Sequence, residues 1–96
     1  MKKSLEEQVK EFQNFLDANN FRYGHCSLDN ELHKFEFIIF PKNDETKSYR
    51  VIFEDQYHIK IIMVFDMNNY VTVNVSPLPG VYFTLEKTMA FFRLFL

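Results

Sequence analysis

Four side chains in this 96-residue chain have the chemistry of a nucleophile, a proton shuttle or a soft metal ligand: Cys26, His25, His33 and His58. His25 and Cys26 are adjacent in a stretch of strand-like alternation. They therefore point to opposite faces and cannot share a metal ion or a proton without a bulge. A catalytic pair joining Cys26 to His33 or His58 requires cross-strand placement. The ordinary state of a lone cysteine is a small buried residue, and the histidines read as surface residues beside it. The acidic residues cluster as Asp29 with Glu31, Asp44 with Glu45, and Glu54 with Asp55. Each cluster falls at a turn, where Asp bonds its own backbone, and none has the alternating oxygen-ligand loop with a central glycine that calcium sites use. Gly24 and Gly80 stand alone, so a glycine-rich phosphate cradle is excluded. Asn74-Val75-Ser76 fits a glycosylation sequon, but Glu6, Glu7 and Glu11 follow Lys2 and Lys3 where a signal peptide would be apolar, so no secretory signal is expected to go with it. The expectation is a chain with no catalytic, cofactor-binding or metal-binding residues, which is not an enzyme.

The elements that would position any site are readable from periodicity. Ser4-Leu5-Glu6-Glu7 has the form of a capping box, with Ser4 Oγ accepting from the Glu7 amide and the Glu7 side chain returning to the Ser4 amide. Leu5, Val9, Phe12 and Leu16 follow at steps of four, three and four, with Phe15 widening the stripe, so a helix with one buried face is expected. Asn19-Asn20 is its stop, because asparagine tolerates the left-handed conformation of a C-cap. From Phe21 the period becomes two, and strands are expected near 21–26, 33–40, 48–54, 57–65 and 70–76. The short connections between them make successive strands antiparallel neighbours in a meander. Proline cannot donate in a ladder, so Ser76-Pro77-Leu78-Pro79-Gly80 ends the sheet. Thr84 then caps a closing helix running to Leu96, with apolar residues nearly all round it. The predicted fold is one α+β domain over residues 1–96: a helix, an antiparallel meander of about five strands and a second helix, both helices on one face of the sheet.

Parity fixes the register. The strongest apolar set is odd-numbered: Phe35, Phe37 and Ile39; Tyr49, Val51 and Phe53; Ile59, Ile61, Met63 and Phe65; Val71, Val73 and Val75. Residues directly opposite in a ladder share a face, so odd must pair with odd. That requires a three-residue loop at Met67-Asn68-Asn69, and an odd loop or a bulge around Asp55-Gln56-Tyr57. The even face then carries Ile38, Phe40, Ile52, Ile62, Val64 and Tyr70, bordered by Lys34, Glu36, Arg50, Glu54, His58, Lys60, Thr72 and Asn74. Glu36 is expected opposite Ile52 and diagonal to Arg50, and Ile62 between Arg50 and Asn74. An apolar patch with a charged border is either covered by a helix or is an interface.

Composition narrows the partner. Hydrophobic residues are 47% and charged residues 25%, as in a globular chain, while aromatics reach 18%. Formal net charge is −2, with a pI of about 5.9, which is no electrostatic footprint for nucleic acid or an anionic membrane. Single-stranded nucleic acid on the sheet face, stacked on Phe40 and Tyr70 beside Lys34, Arg50 and Lys60, is the weaker alternative. No run approaches the ~20 apolar residues of a membrane span. One cysteine excludes an intrachain disulfide and fits a reducing, cytoplasmic setting.

The order of capped helix, antiparallel meander, proline-containing corner and closing apolar helix resembles the YbjN-type family, itself similar in fold to type III secretion chaperones. The matching stretch is Leu5 to Leu96, especially Tyr70-Val71-Thr72-Val73-Asn74-Val75 running through Pro77-Leu78-Pro79 into the last helix. The resemblance implies a non-enzymatic chaperone or adaptor that binds proteins, and it assigns no site. Size and composition also resemble phage inhibitors of bacterial defence, anti-CRISPR proteins among them, and toxin-immunity proteins. The reading is a non-catalytic module that binds a protein partner through an apolar surface. A homodimer held by the second stripe of the closing helix, with or without the even sheet face, is also expected. Leu85, Met89, Phe92 and Leu96 can face the chain's own sheet, while Phe91, Leu94 and Phe95 lack a nameable intrachain partner. The alternative is a monomer in which the first helix, with Phe12 and Phe15, lies over that stripe.

Overall fold

Ser4 caps the first helix, α1 (Leu5–Ala18), by accepting from the Glu7 amide at 3.2 Å. Its hydroxyl also donates to the Glu7 carboxylate at 3.2 Å, so the two side chains bond each other directly. At the other end Asn20 has φ +59°. Its N–H reaches Asp17 O and that of Phe21 reaches Leu16 O at 3.0 Å, which closes a Schellman motif. The computed structural model describes residues 4–29, 34–42, 46–55, 58–65, 71–75 and 82–96, without the side chains of 25–29, 34 and 74.

Five strands follow: β1 (Arg22–Asp29), β2 (Lys34–Phe40), β3 (Lys47–Asp55), β4 (His58–Phe65) and β5 (Val71–Asn74). They form one sheet in chain order with every neighbouring pair antiparallel. Odd pairs with odd across β2, β3, β4 and β5: Phe37 meets Val51, Val51 meets Ile61, and Met63 meets Val73. The β4–β5 register is the one a three-residue Met67-Asn68-Asn69 loop requires, though the loop itself lies outside the described residues. The parity correction expected near Asp55 is a register shift between Phe53 and Asp55, which lets a shorter connection follow.

The second helix, α2 (Leu85–Arg93), begins at Thr84, whose side chain accepts from the Lys87 amide at 3.2 Å. Both helices bury their stripes on the odd face. Phe12 of α1 is fully buried against Phe37, Phe53 and Phe92, with ring centroids 5.2, 5.6 and 5.9 Å away. Around it lie Leu16, Ile39, Tyr49, Val51, Ile59, Ile61 and Leu85. Each large side chain removed from water here contributes roughly 1.5–3 kcal/mol. No helix among the described residues is long and apolar enough to cross a membrane.

Two expectations need correction. The α-helix stops at Arg93 and does not run to Leu96. Leu94, Phe95 and Leu96 donate to Phe91, Phe92 and Arg93, a tightened last turn with three residues per repeat. That change of phase turns Phe95 onto the stripe of Phe92 and leaves Leu96 62% exposed. Nor does the odd face of β5 join the core fully. Val71 and Val73 have the expected register but are 41% and 46% exposed, because α2 lies over β3 and β4 and does not reach the edge strand.

Candidate functional site

The even face is the side of the sheet opposite both helices. Alternation along β2 and β3 puts Glu36, Ile38 and Phe40 there with Ser48, Arg50 and Ile52, and β4 adds His58, Lys60, Ile62 and Val64. Glu36 lies opposite Ile52, Ile38 opposite Arg50, and Ile62 between Arg50 and Asn74, as parity requires. Ile38, Phe40, Ile52 and Ile62 are half-buried, and no described helix or strand lies across them.

The charges on this face are organised among themselves. Glu36 is 3% exposed and accepts from Arg50 Nε, whose side chain reaches it diagonally from β3. A carboxylate buried on a central strand, beside Ile38 and opposite Ile52, gains a charge-assisted hydrogen bond from that guanidinium, which offsets part of the cost of its burial. Lys60 Nζ lies 3.3 Å from Glu54 Oε1. The Arg22 guanidinium lies 5.0 Å from the Phe40 ring centroid, across the β1–β2 pair that sets them opposite. Tyr82 stands edge-on to His58 at 4.5 Å and 6.0 Å from Lys60 Nζ. Both ion pairs tie one strand to the next, so Arg50 and Lys60 are matched by acids within the patch.

Several residues expected in the partner site are placed differently. Val64 is 4% exposed opposite the equally buried Ser48, so it cannot contribute contact area as it stands. Glu36 is inside the patch and not on its border. Tyr70 lies outside the described residues. Phe91 and Phe95 do have intrachain partners, since the Tyr49 ring lies 5.5 Å from the first and 5.2 Å from the second. Phe83 packs on Phe91 as well. Of that trio only Leu94 is left open, at 79% exposed. Two participants were not anticipated. The Arg22–Phe40 contact follows the parity of the β1–β2 ladder, which a fixed β1 register would have disclosed. Tyr82 carried no sequence signal, because it arrives only when Phe83 returns the chain to the edge of β4 and bonds Ile59 at 2.9 Å.

The backbone sets Cys26 and His58 at separate places in the sheet. Cys26 takes its register position against Glu36 on β2, and His25 against Phe37. Cys26 on β1 and His58 on β4 are three strands apart, roughly 14 Å at ordinary strand spacing. The His58 ring is held by Asp55, with Nδ1 2.7 and 2.8 Å from the two carboxylate oxygens. His33, Glu31, Asp44 and Glu45 lie outside the described residues. Among the described residues no three of His, Cys, Asp and Glu are grouped to hold a metal ion.

No family model, curated protein or solved structure matches the chain. The functional reading therefore rests on the surface itself.

Proposed function

We propose that the chain is a non-catalytic protein-binding module whose partner docks on the even face of the sheet. The observation that carries this reading is that both helices occupy the odd face, while Ile38, Phe40, Ile52 and Ile62 lie half-buried on the other around Arg50, crossed by no described element. The internal pairing of Arg50 with Glu36 and of Lys60 with Glu54 suits a protein partner better than a polyanion, because these two cations already have acidic partners. An inhibitor of a bacterial defence system, an immunity-type protein and a YbjN-like chaperone or adaptor all belong to this class of behaviour. The setting proposed is cytoplasmic, where Cys26 stays reduced.

The test compares capture from lysate of the native host by the wild-type chain, by Ile52→Lys and by Glu86→Lys, which lies on the exposed side of α2. The expected result is a protein retained by wild type and by Glu86→Lys and lost in Ile52→Lys, with the circular dichroism of all three alike. Equal retention by all three overturns the even face as the docking site. Arg22 over Phe40 and Lys60 near Tyr82 favour one second reading, single-stranded nucleic acid stacked on this face. Oligonucleotide retention falling steeply with salt would replace the protein partner with that one.

A further inference from the structure

We propose that β5 is the seam of a homodimer, in which two copies pair this strand with itself, antiparallel, about a two-fold axis through Val73. The inference is independent of the even-face reading, since the seam runs along the sheet edge and leaves that face open.

The edge is chemically ready for a strand. Val75 N–H donates to Ile61 O at 3.0 Å, and Met63 and Phe65 are the register partners of Val73 and Val71. Alternation in an antiparallel ladder then directs the backbone groups of Val71, Val73 and Val75 inward to β4, and those of Thr72 and Asn74 outward. Residues 70–76 contain no charge and no proline, two of the devices that keep an edge from pairing. The opposite edge is blunted, for β1 carries Arg22 and Asp29 and a register shift between Ser27 and Asp29. On the odd face the seam is bordered by the exposed Val71 and Val73. Leu94 stands on the same side, because in the tightened turn it eclipses Phe91, whose ring reaches Phe83 in the lane of β5.

The occupant is a second copy because the strand complements itself. A two-fold axis through Val73 sets Thr72 opposite Asn74 of the second copy, a wide pair that exchanges both N–H···O bonds, and symmetry makes a second such pair. Val73 then meets its own counterpart in the narrow pair, and Val71 meets Val75, so valine packs on valine along the whole odd side. No like charges are brought together, and the two-fold makes the contact closed, so no open chain of subunits follows.

Light scattering at micromolar concentration is expected to give twice the 11.6 kDa chain mass. Val73→Lys sets two ammonium groups against each other in the narrow pair and is expected to give the single-chain mass. Thr72→Pro removes an outward donor that β4 does not use and is expected to do the same, with unchanged circular dichroism. In a Cys26→Ser background, Val73→Cys is expected to form an intermolecular disulfide on mild oxidation, since a narrow pair has Cα atoms about 4.5 Å apart. Val71→Cys is expected not to, being roughly 14 Å from its own counterpart. A single-chain mass for wild type, a dimer that survives both Val73→Lys and Thr72→Pro, or cross-linking at Val71 without cross-linking at Val73 would each overturn the proposal. Should Val73→Lys fail to fold, Thr72→Pro and the disulfide pair decide.

Discussion

Tyr23 Oη donates to Asp17 Oδ1 at 2.6 Å, fastening the first strand to the last turn of α1. That hydrogen bond, with burial and the Asp17 charge, raises the phenol above its ordinary value, and a bond with Gln13 opposes it in part. A group that holds its proton more tightly when folded stabilises fully below its unfolded pKa, about 10 for tyrosine, and loses that contribution as pH rises through the higher folded value. The urea midpoint is therefore expected to fall as pH climbs past 10, and Tyr23→Phe to flatten that fall. At neutral pH Tyr23→Phe should cost only about 1 kcal/mol or less, because the bond is at the solvent boundary. The same scale explains how Glu36 can be central and buried. Its neighbours across the ladder are apolar, but Arg50 is one diagonal step away, a relation that parity alone predicts.

Among the elements, α1 is closed at both ends by its own local residues, and α2 at its start. Asn20 is the residue on which the exit of α1 turns, since its left-handed φ lets Phe21 bond back to Leu16 and bring its ring to 6.0 Å from Phe15. Left-handed backbone costs an ordinary L-residue roughly 1–2 kcal/mol. Asn20→Ala is expected to lower the unfolding free energy by about 1 kcal/mol, and Asn20→Gly to leave it unchanged or raise it, both read from urea denaturation. The end of α2 was less legible. The three residues after it, Leu94, Phe95 and Leu96, are all of helix-compatible type, and the contact of Phe91, Phe92 and Phe95 with Tyr49 accompanies the tighter turn that exposes Leu94 and Leu96.

For the whole molecule, the arrangement is a sheet covered on one face by two helices that do not extend to its last strand. Stability is therefore uneven across the sheet. Amides linking β2, β3 and β4 lie over the fully buried Phe37, Val51, Phe53 and Ile61 and should exchange hydrogen only on global unfolding. Amides of Thr72 and Asn74, which face outward from the edge, should exchange rapidly in dilute protein and slow as concentration rises through the dimerisation range. Hydrogen exchange followed by NMR at two concentrations reads both.

What the sequence determined was everything governed by neighbours along the chain or by a repeat. The Ser4 and Thr84 caps, the Asn20 exit, the five strands and the even-sum register all follow from spacing, because a half-buried strand cannot slip by one residue without turning its whole apolar set to water. Ile38, Phe40, Ile52 and Ile62 were assigned to one face on that ground alone. Tertiary structure decided how far each helix reaches across the sheet, which no periodicity encodes. Where α2 settles on Tyr49 and leaves β5 uncovered, Phe91 and Phe95 gain intrachain partners and Val71 and Val73 lose theirs. The physical reason is that a hydrophobic stripe specifies that a helix must be buried, while packing against particular rings specifies where.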